Sequence, residues 1–288
     1  MKRHISRILL LALLVGIAAL LYHGRLGERP SPTPPQILTR QPQITTSEPR
    51  VAPPVRYPLA GAPPAEMPVT PQTAPPTHSE AAAPPLPTLD HSDADMRETL
   101  SRLIGQPALD ALFNTKSFVR RVVVIVDNLP WAKLPQRDMP TRPVSGRFLV
   151  TGPEDQPRIS ADNYTRYTPY VQLLETIDLG DLVAAYVRYY PLFQQAYVEL
   201  GYPKRYFNDR LIDAIDNLLA TPEVQGPVAL VRPGVMYKFA DPELERLSAG
   251  QKILIRMGGD NAERVKVRLR ALRKILLAQV AKPTGGAD

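Results

Sequence analysis

Asp209, Asp213 and Asp216 recur at i, i+4 and i+7, so any helix that carries them places all three on one face. Carboxylates in such a set can do acid–base work or hold a divalent cation. A hydrolase, however, needs two of them facing each other across a cleft, usually from different elements. The opposite face of the same stretch is apolar, with Leu211, Ile212, Ile215, Leu218 and Leu219. The three aspartates therefore serve equally well as solvated charge or as partners for arginine. Nucleophile chemistry has no comparable set. All four histidines, His4, His23, His78 and His91, precede the predicted core, and the chain has no cysteine. That excludes Ser-His-Asp and Cys-His catalysis and the usual His/Cys zinc sites. No G-x-S-x-G elbow, P-loop or dinucleotide fingerprint occurs, and no cofactor, catalytic residue or metal site is assigned.

Tyr186, Tyr189, Tyr190, Phe193 and Tyr197 recur at helical spacing, and Tyr202, Lys204, Arg205 and Tyr206 follow closely. Tyrosine couples a large apolar face to a hydroxyl, which suits a partner surface or glycan stacking. The same pattern serves a core whose hydroxyls reach its rim. These aromatics, with Arg205, form the candidate binding set. A second candidate surface is the last predicted helix, with Arg264, Lys266, Arg268, Arg270, Arg273 and Lys274 outside and Val265, Leu269, Leu272, Ile275 and Leu276 inside. Such a helix can lie on anionic lipid, or dock on a core with a solvated basic face.

The elements that must position these residues read as mainly helical. Ser92 and Asp95 have capping-box spacing at the start of a helix to about Ile104, and a short helix follows over 107–113. Residues 116–129 keep helical spacing, although the run 122–126 has strand propensity. Residues 147–150 and 158–160 flank a turn and can pair, as can 228–231 and 235–239 around Arg232-Pro233-Gly234. Helices are expected over 164–177, over 179–200 with a division or kink at Pro191, and over 208–219. Asp241-Pro242, Ser248/Gln251 and Asp260/Glu263 mark three further helix starts, the last after the break at Gly258-Gly259.

Tyr190-Pro191-Leu192-Phe193-Gln194-Gln195-Ala196-Tyr197, followed by Leu200-Gly201-Tyr202-Pro203, resembles a bacterial family of unassigned function. So do Tyr206-Phe207-Asn208-Asp209-Arg210-Leu211, Phe239-Ala240-Asp241-Pro242 and Ser248-Ala249-Gly250-Gln251-Lys252. The family is the domain of unknown function numbered three thousand and fourteen, and the resemblance covers most of 93–277. It implies a membrane-anchored envelope protein of Gram-negative bacteria and transfers no catalytic residue.

The front of the chain supplies an address. Lys2, Arg3 and Arg7 precede an apolar run of Ile8, Leu9, Leu10, Leu11, Leu13, Leu14, Val15, Ile17, Leu20 and Leu21, closed by Tyr22. With snorkelling ends this run spans roughly 25 Å at ~1.5 Å per residue, and no good cleavage site follows it. It reads as an uncleaved inner-membrane signal anchor, with a cleaved signal peptide as the alternative. The basic residues favour the N-terminus inside and the remainder in the periplasm. Paired prolines at 34–35, 53–54, 63–64, 75–76 and 84–85 then mark a spacer. Ile37, Ile44, Val55 and Leu59 are too scattered in it to form a core. About 60 residues at ~3.1 Å each give a contour near 190 Å. The formal charge of +7 divides between this front end and the rest, so the domain has an ordinary mixed surface and nucleic acid is not an expected partner.

The expected organisation is an anchor over 1–25, a disordered proline-rich linker over 26–90, a mainly helical globular domain over 91–282 with one or two short β hairpin-like pieces, and a disordered tail over 283–288. The expected function is a non-enzymatic module that presents this domain to an envelope protein or cell-wall partner. A carboxylate-dependent wall-processing enzyme and a small-molecule sensor with a tyrosine-lined site are the alternatives. Two acids converging in a deep cleft favour the enzyme, a closed apolar pocket the sensor, and an exposed aromatic patch the module.

Overall fold

The valine-rich run 122–126 is helical. In the computed structural model, which describes residues 55–59, 85–143 and 146–280, it lies within Phe118–Asn128. Strand propensity is overridden by burial there. Phe118, Val119, Val122, Val123, Ile125 and Val126 all enter the core, because two longer helices cover this one.

Among the described residues ten α-helices follow one another: α1 Asp93–Ile104, α2 Gln106–Leu112, α3 Phe118–Asn128, α4 Asp162–Thr165, α5 Thr168–Thr176, α6 Leu179–Glu199, α7 Phe207–Leu219, α8 Pro242–Arg246, α9 Ala249–Arg256 and α10 Gly259–Ala278. Two small antiparallel pairs interrupt them. β1 Val150–Thr151 pairs with β2 Arg158–Ile159, and β3 Leu230–Val231 with β4 Lys238–Phe239. The fold is thus mainly helical. α6 and α7 pack together, and α3 and α10 each pack against both; α5 and α9 cover α10. A second, smaller apolar cluster of Ile159, Val228, Leu230, Phe239 and Ile255 gathers the strand pairs.

Several boundaries differ from expectation for local reasons. Residues 164–177 form two helices, with Pro169 in the first turn of α5, where its missing N–H costs nothing. α6 is not divided at Pro191. Only one intrahelical donor is lost, and Tyr189, Tyr190, Leu192 and Phe193 are all buried around it, so packing carries the helix through. Ser92 precedes α1 but caps nothing; its hydroxyl donates to the Leu89 carbonyl at 2.8 Å. The working carboxylate is Asp93, which caps a different helix, accepting from the backbone N–H of Ser117 at 2.7 Å and of Phe118 at 3.1 Å at the start of α3. Asp260 likewise caps nothing. α10 begins at Gly258, whose φ of 87° needs glycine and whose face abuts Tyr164 so closely that a Cβ would lie 2.7 Å from the ring. The Ser248/Gln251 capping box and the Asp241 cap both form.

Among the described residues no helix is long and apolar enough to cross a membrane. The predicted anchor and most of the proline-rich tract lie outside the described residues. Two pieces of the expected 26–90 linker are described, 55–59 and 85–90, and both depart from expectation: Leu59 and Leu89 are each 4% exposed and belong to the main core.

Candidate functional site

The tyrosine stripe lies mostly inside. Tyr186, Tyr189, Tyr190, Phe193 and Tyr197 are all buried along α6. Tyr186 meets Tyr190 edge-on at 5.7 Å, Phe193 stacks on Phe207 at 5.8 Å, and Tyr197 stacks on Tyr202 at 4.6 Å. Burial pushes the Tyr197 phenol up to about 12 and raises those of Tyr186 and Tyr190 as well. These five are packing residues. Of the candidate set, only Tyr202, Arg205 and Tyr206 reach the surface, on the connection between α6 and α7.

That connection is tied down by one side chain. Gln194, buried in α6, accepts from the backbone N–H of Phe207 at 2.8 Å and from the Tyr190 phenol at 3.0 Å. Its amide donates to the Arg205 carbonyl at 2.8 Å. The start of α7 is therefore held in one position relative to α6.

The aspartate row of α7 faces this junction, and every member has a partner. Asp216 receives Arg273 of α10 in a bidentate pair at 2.5 and 3.1 Å. Asp209 and Asp213 hold residues 55–59, a strap from the proline-rich tract. The two oxygens of Asp209 accept from the backbone N–H of Arg56 at 3.1 Å and of Tyr57 at 2.8 Å. Asp213 accepts from the Arg56 guanidinium at 2.7 Å, and this bond holds the Arg56 pKa above its usual value. Asn208 donates to the Tyr57 carbonyl at 2.8 Å and accepts from the buried Tyr186 phenol at 3.0 Å. Leu59 pairs antiparallel with Val280, just past α10. Beside the strap lies an open groove of about 330 Å³, lined by Arg56, Tyr197, Arg205, Tyr206, Asp209, Arg210 and Asp213.

A half-sheltered ion pair borders the groove. Arg210 bonds the Asp127 carboxylate at 2.9 Å and also its backbone carbonyl, while the Tyr202 phenol donates to the same carboxylate at 3.2 Å. The guanidinium of Arg210 also lies 5.7 Å from the ring centre of Trp131, which is 58% exposed. On the other side Arg205 lies 5.6 Å from the Tyr202 ring. Tryptophan, tyrosine and arginine thus alternate along one edge of α7. The Trp131 carbonyl accepts from the Ala249 N–H at 2.7 Å, which fixes its backbone.

The basic residues of α10 are largely committed. Arg264 makes a bidentate pair with Glu175 at 2.7 and 2.6 Å, Arg270 pairs with Glu263 at 2.7 Å, and Lys266, buried, donates to the Thr221 carbonyl at 2.6 Å. Arg268 donates to the Ile177 carbonyl, while Lys274 is exposed. A wider, shallow cleft of about 910 Å³ runs from Thr151 past Tyr164 and Glu223 to Lys266. Among the described residues no group of His, Cys, Asp and Glu is placed to hold a metal.

Sequence reasoning missed Asp127, Trp131, Asn208, Gln194 and Arg210. It also missed the strap, although Tyr57 is the only aromatic residue of the proline-rich tract.

Fold and site together define a small helical domain with two minor strand pairs, in which α7 holds a short piece of the same chain beside an open groove. The chain belongs to the family described as Protein of unknown function (DUF3014), whose model matches residues 118–273, slightly more than half of it. Comparison with the curated proteins and with the solved structures finds no match in either.

Proposed function

We propose that the chain is a membrane-tethered module of the bacterial envelope that holds a protein partner at the edge of α7. One observation carries this reading: α7 already grips a short segment, by backbone and side-chain hydrogen bonds together, beside an open groove lined by Arg205, Tyr206 and Arg210. Aromatic and arginine anchors of this kind dominate protein interfaces. The apolar run 8–22 and the proline-rich tract support the tether and the periplasmic address. The carboxylate-enzyme reading is weakened because Asp209, Asp213 and Asp216 project from one helix, and each already holds a partner.

The test is photocrosslinking in intact cells, with a photoreactive residue at Arg205 or Trp131 of the full-length chain and a control at Val235 in the β3–β4 turn. A discrete protein adduct from the first two positions, missing from the third, supports the reading. No adduct, or the same adducts from all three, overturns it. A C-terminal phosphatase fusion checks the address independently, since it is active only outside the cytoplasm.

A further inference from the structure

The strap joins the main core through Leu59, and its contacts with α7 follow the pattern of a bound peptide. Three of its bonds to α7 use the main chain: the N–H groups of Arg56 and Tyr57 on Asp209, and the Tyr57 carbonyl on Asn208. They fix a course that bends at Arg56 and Tyr57, turning both N–H groups onto one carboxylate, without reading sequence. Two side chains supply readout. Arg56 enters a charge-assisted bond with Asp213, and Leu59 is buried beside Val280. Pro58, between them, restricts the backbone in advance and lowers the ordering cost. Tyr57 packs against the core edge, with Arg56 lying 5.6 Å from its ring centre.

The hold is limited in extent. Three main-chain bonds, one ion pair whose side chains are 52% and 40% exposed, the packing of Tyr57 and one buried leucine stand against the entropy of ordering five residues. The groove is also longer than its occupant, since open space lined by Tyr197, Arg205, Tyr206 and Arg210 continues beside Arg56. A longer ligand would gain contacts that the strap does not make.

On the interaction reading above, we propose that this site on α7 recognises a short protein segment of the pattern arginine–aromatic–proline–leucine. Residues 55–59 occupy it in cis, and a segment of a protein partner with the same chemistry displaces them. The strap is covalently attached, so its effective concentration at the groove is of the order of millimolar, and a free peptide at micromolar concentration competes poorly until the strap is disabled.

The experiment uses the full-length chain in detergent and a fluorescein-labelled synthetic peptide of residues 51–62, read by anisotropy. The strap is disabled by Arg56→Ser with Leu59→Ser, and a thermal melt by circular dichroism follows each variant. The expected result is at least a tenfold gain in peptide affinity over the unsubstituted chain, with the cooperative melt retained. Adding Asp213→Arg to the disabled chain abolishes binding, and a peptide carrying Arg56→Glu restores it. Equal affinity for the disabled and unsubstituted chains overturns the proposal. So does loss of the cooperative melt on disabling the strap, because the strap is then part of the fold. Light scattering adds a third outcome: a dimer that dissociates on disabling the strap assigns the groove to a second copy and overturns the partner assignment. Peptide binding without a cellular adduct at Arg205 sinks the module reading alone, and an adduct without peptide binding sinks the ligand assignment alone.

Discussion

The side-chain amide of Asn208 donates to the backbone carbonyl of Tyr57 at 2.8 Å, across 151 positions of sequence. The same amide accepts from the Tyr186 phenol at 3.0 Å, so a fully buried group of α6 is joined through α7 to the strap. Asn208→Ala strands that phenol without its acceptor and is expected to cost about 1–3 kcal/mol in urea denaturation. Tyr186→Phe removes the hydroxyl itself and should cost less, about 1 kcal/mol. Equal effects would show that the phenol finds another acceptor.

Asp93 is expected to matter to a helix it does not belong to. Asp93→Ala removes both acceptors from the start of α3 and should lower stability by about 1–2 kcal/mol. Asp95→Ala, at the position the capping-box spacing pointed to, should stay within about 0.5 kcal/mol. Hydrogen exchange at the first amides of α3 should rise in the first variant only.

Acid should loosen the contact between α5 and α10. The hydrogen bond from Arg264 holds the Glu175 carboxyl below the usual carboxylate range. Its contribution is present in full above the unfolded value of about 4.3 and is lost as pH falls through the lower folded value. Glu175→Gln should therefore flatten the fall in stability on the acid side of about pH 4 while leaving the neutral-to-alkaline slope unchanged. Denaturation series at several pH values measure both slopes, and identical acid slopes would exclude the pair as a source.

Base should open the core through its tyrosines. Burial raises the Tyr167 and Tyr197 phenols to about 12, and Tyr186 and Tyr190 are raised as well. For groups raised in the fold, the stabilisation is complete below the unfolded value of about 10 and disappears as pH climbs towards the folded values. Tyrosinate absorbance should then show two classes, an exposed one near pH 10 and a buried one that appears together with loss of helical circular dichroism. Smooth titration of all twelve tyrosines with the helices intact would contradict this packing.

The helices were legible because periodicity and caps are local signals. The face of α7, the capping box at Ser248 and the Asp241-Pro242 start all formed as spaced. The caps at Ser92 and Asp260 failed because spacing shows what a side chain can reach, not which backbone amides the tertiary fold brings to it. The aspartate row of α7 was visible as a row, but its meaning depended on Arg273 and on a strap 150 residues upstream. Leu59 is a lone aliphatic residue among prolines, and no window around it has a period. Its burial is decided wholly by a surface that α7 and the end of α10 create.

Leu59 and Leu89 both belong to the main core, so with the strap in place the stretch between them adds nothing to the reach of the domain. Under the proposed anchoring, only the stretch up to the strap then sets how far the domain can stand from the membrane. Unseating the strap would release about 25 residues, up to about 80 Å of further extension at ~3.1 Å each. Capture of a partner in the groove and a longer leash would be one event, so the module would gain reach only when there is something to carry.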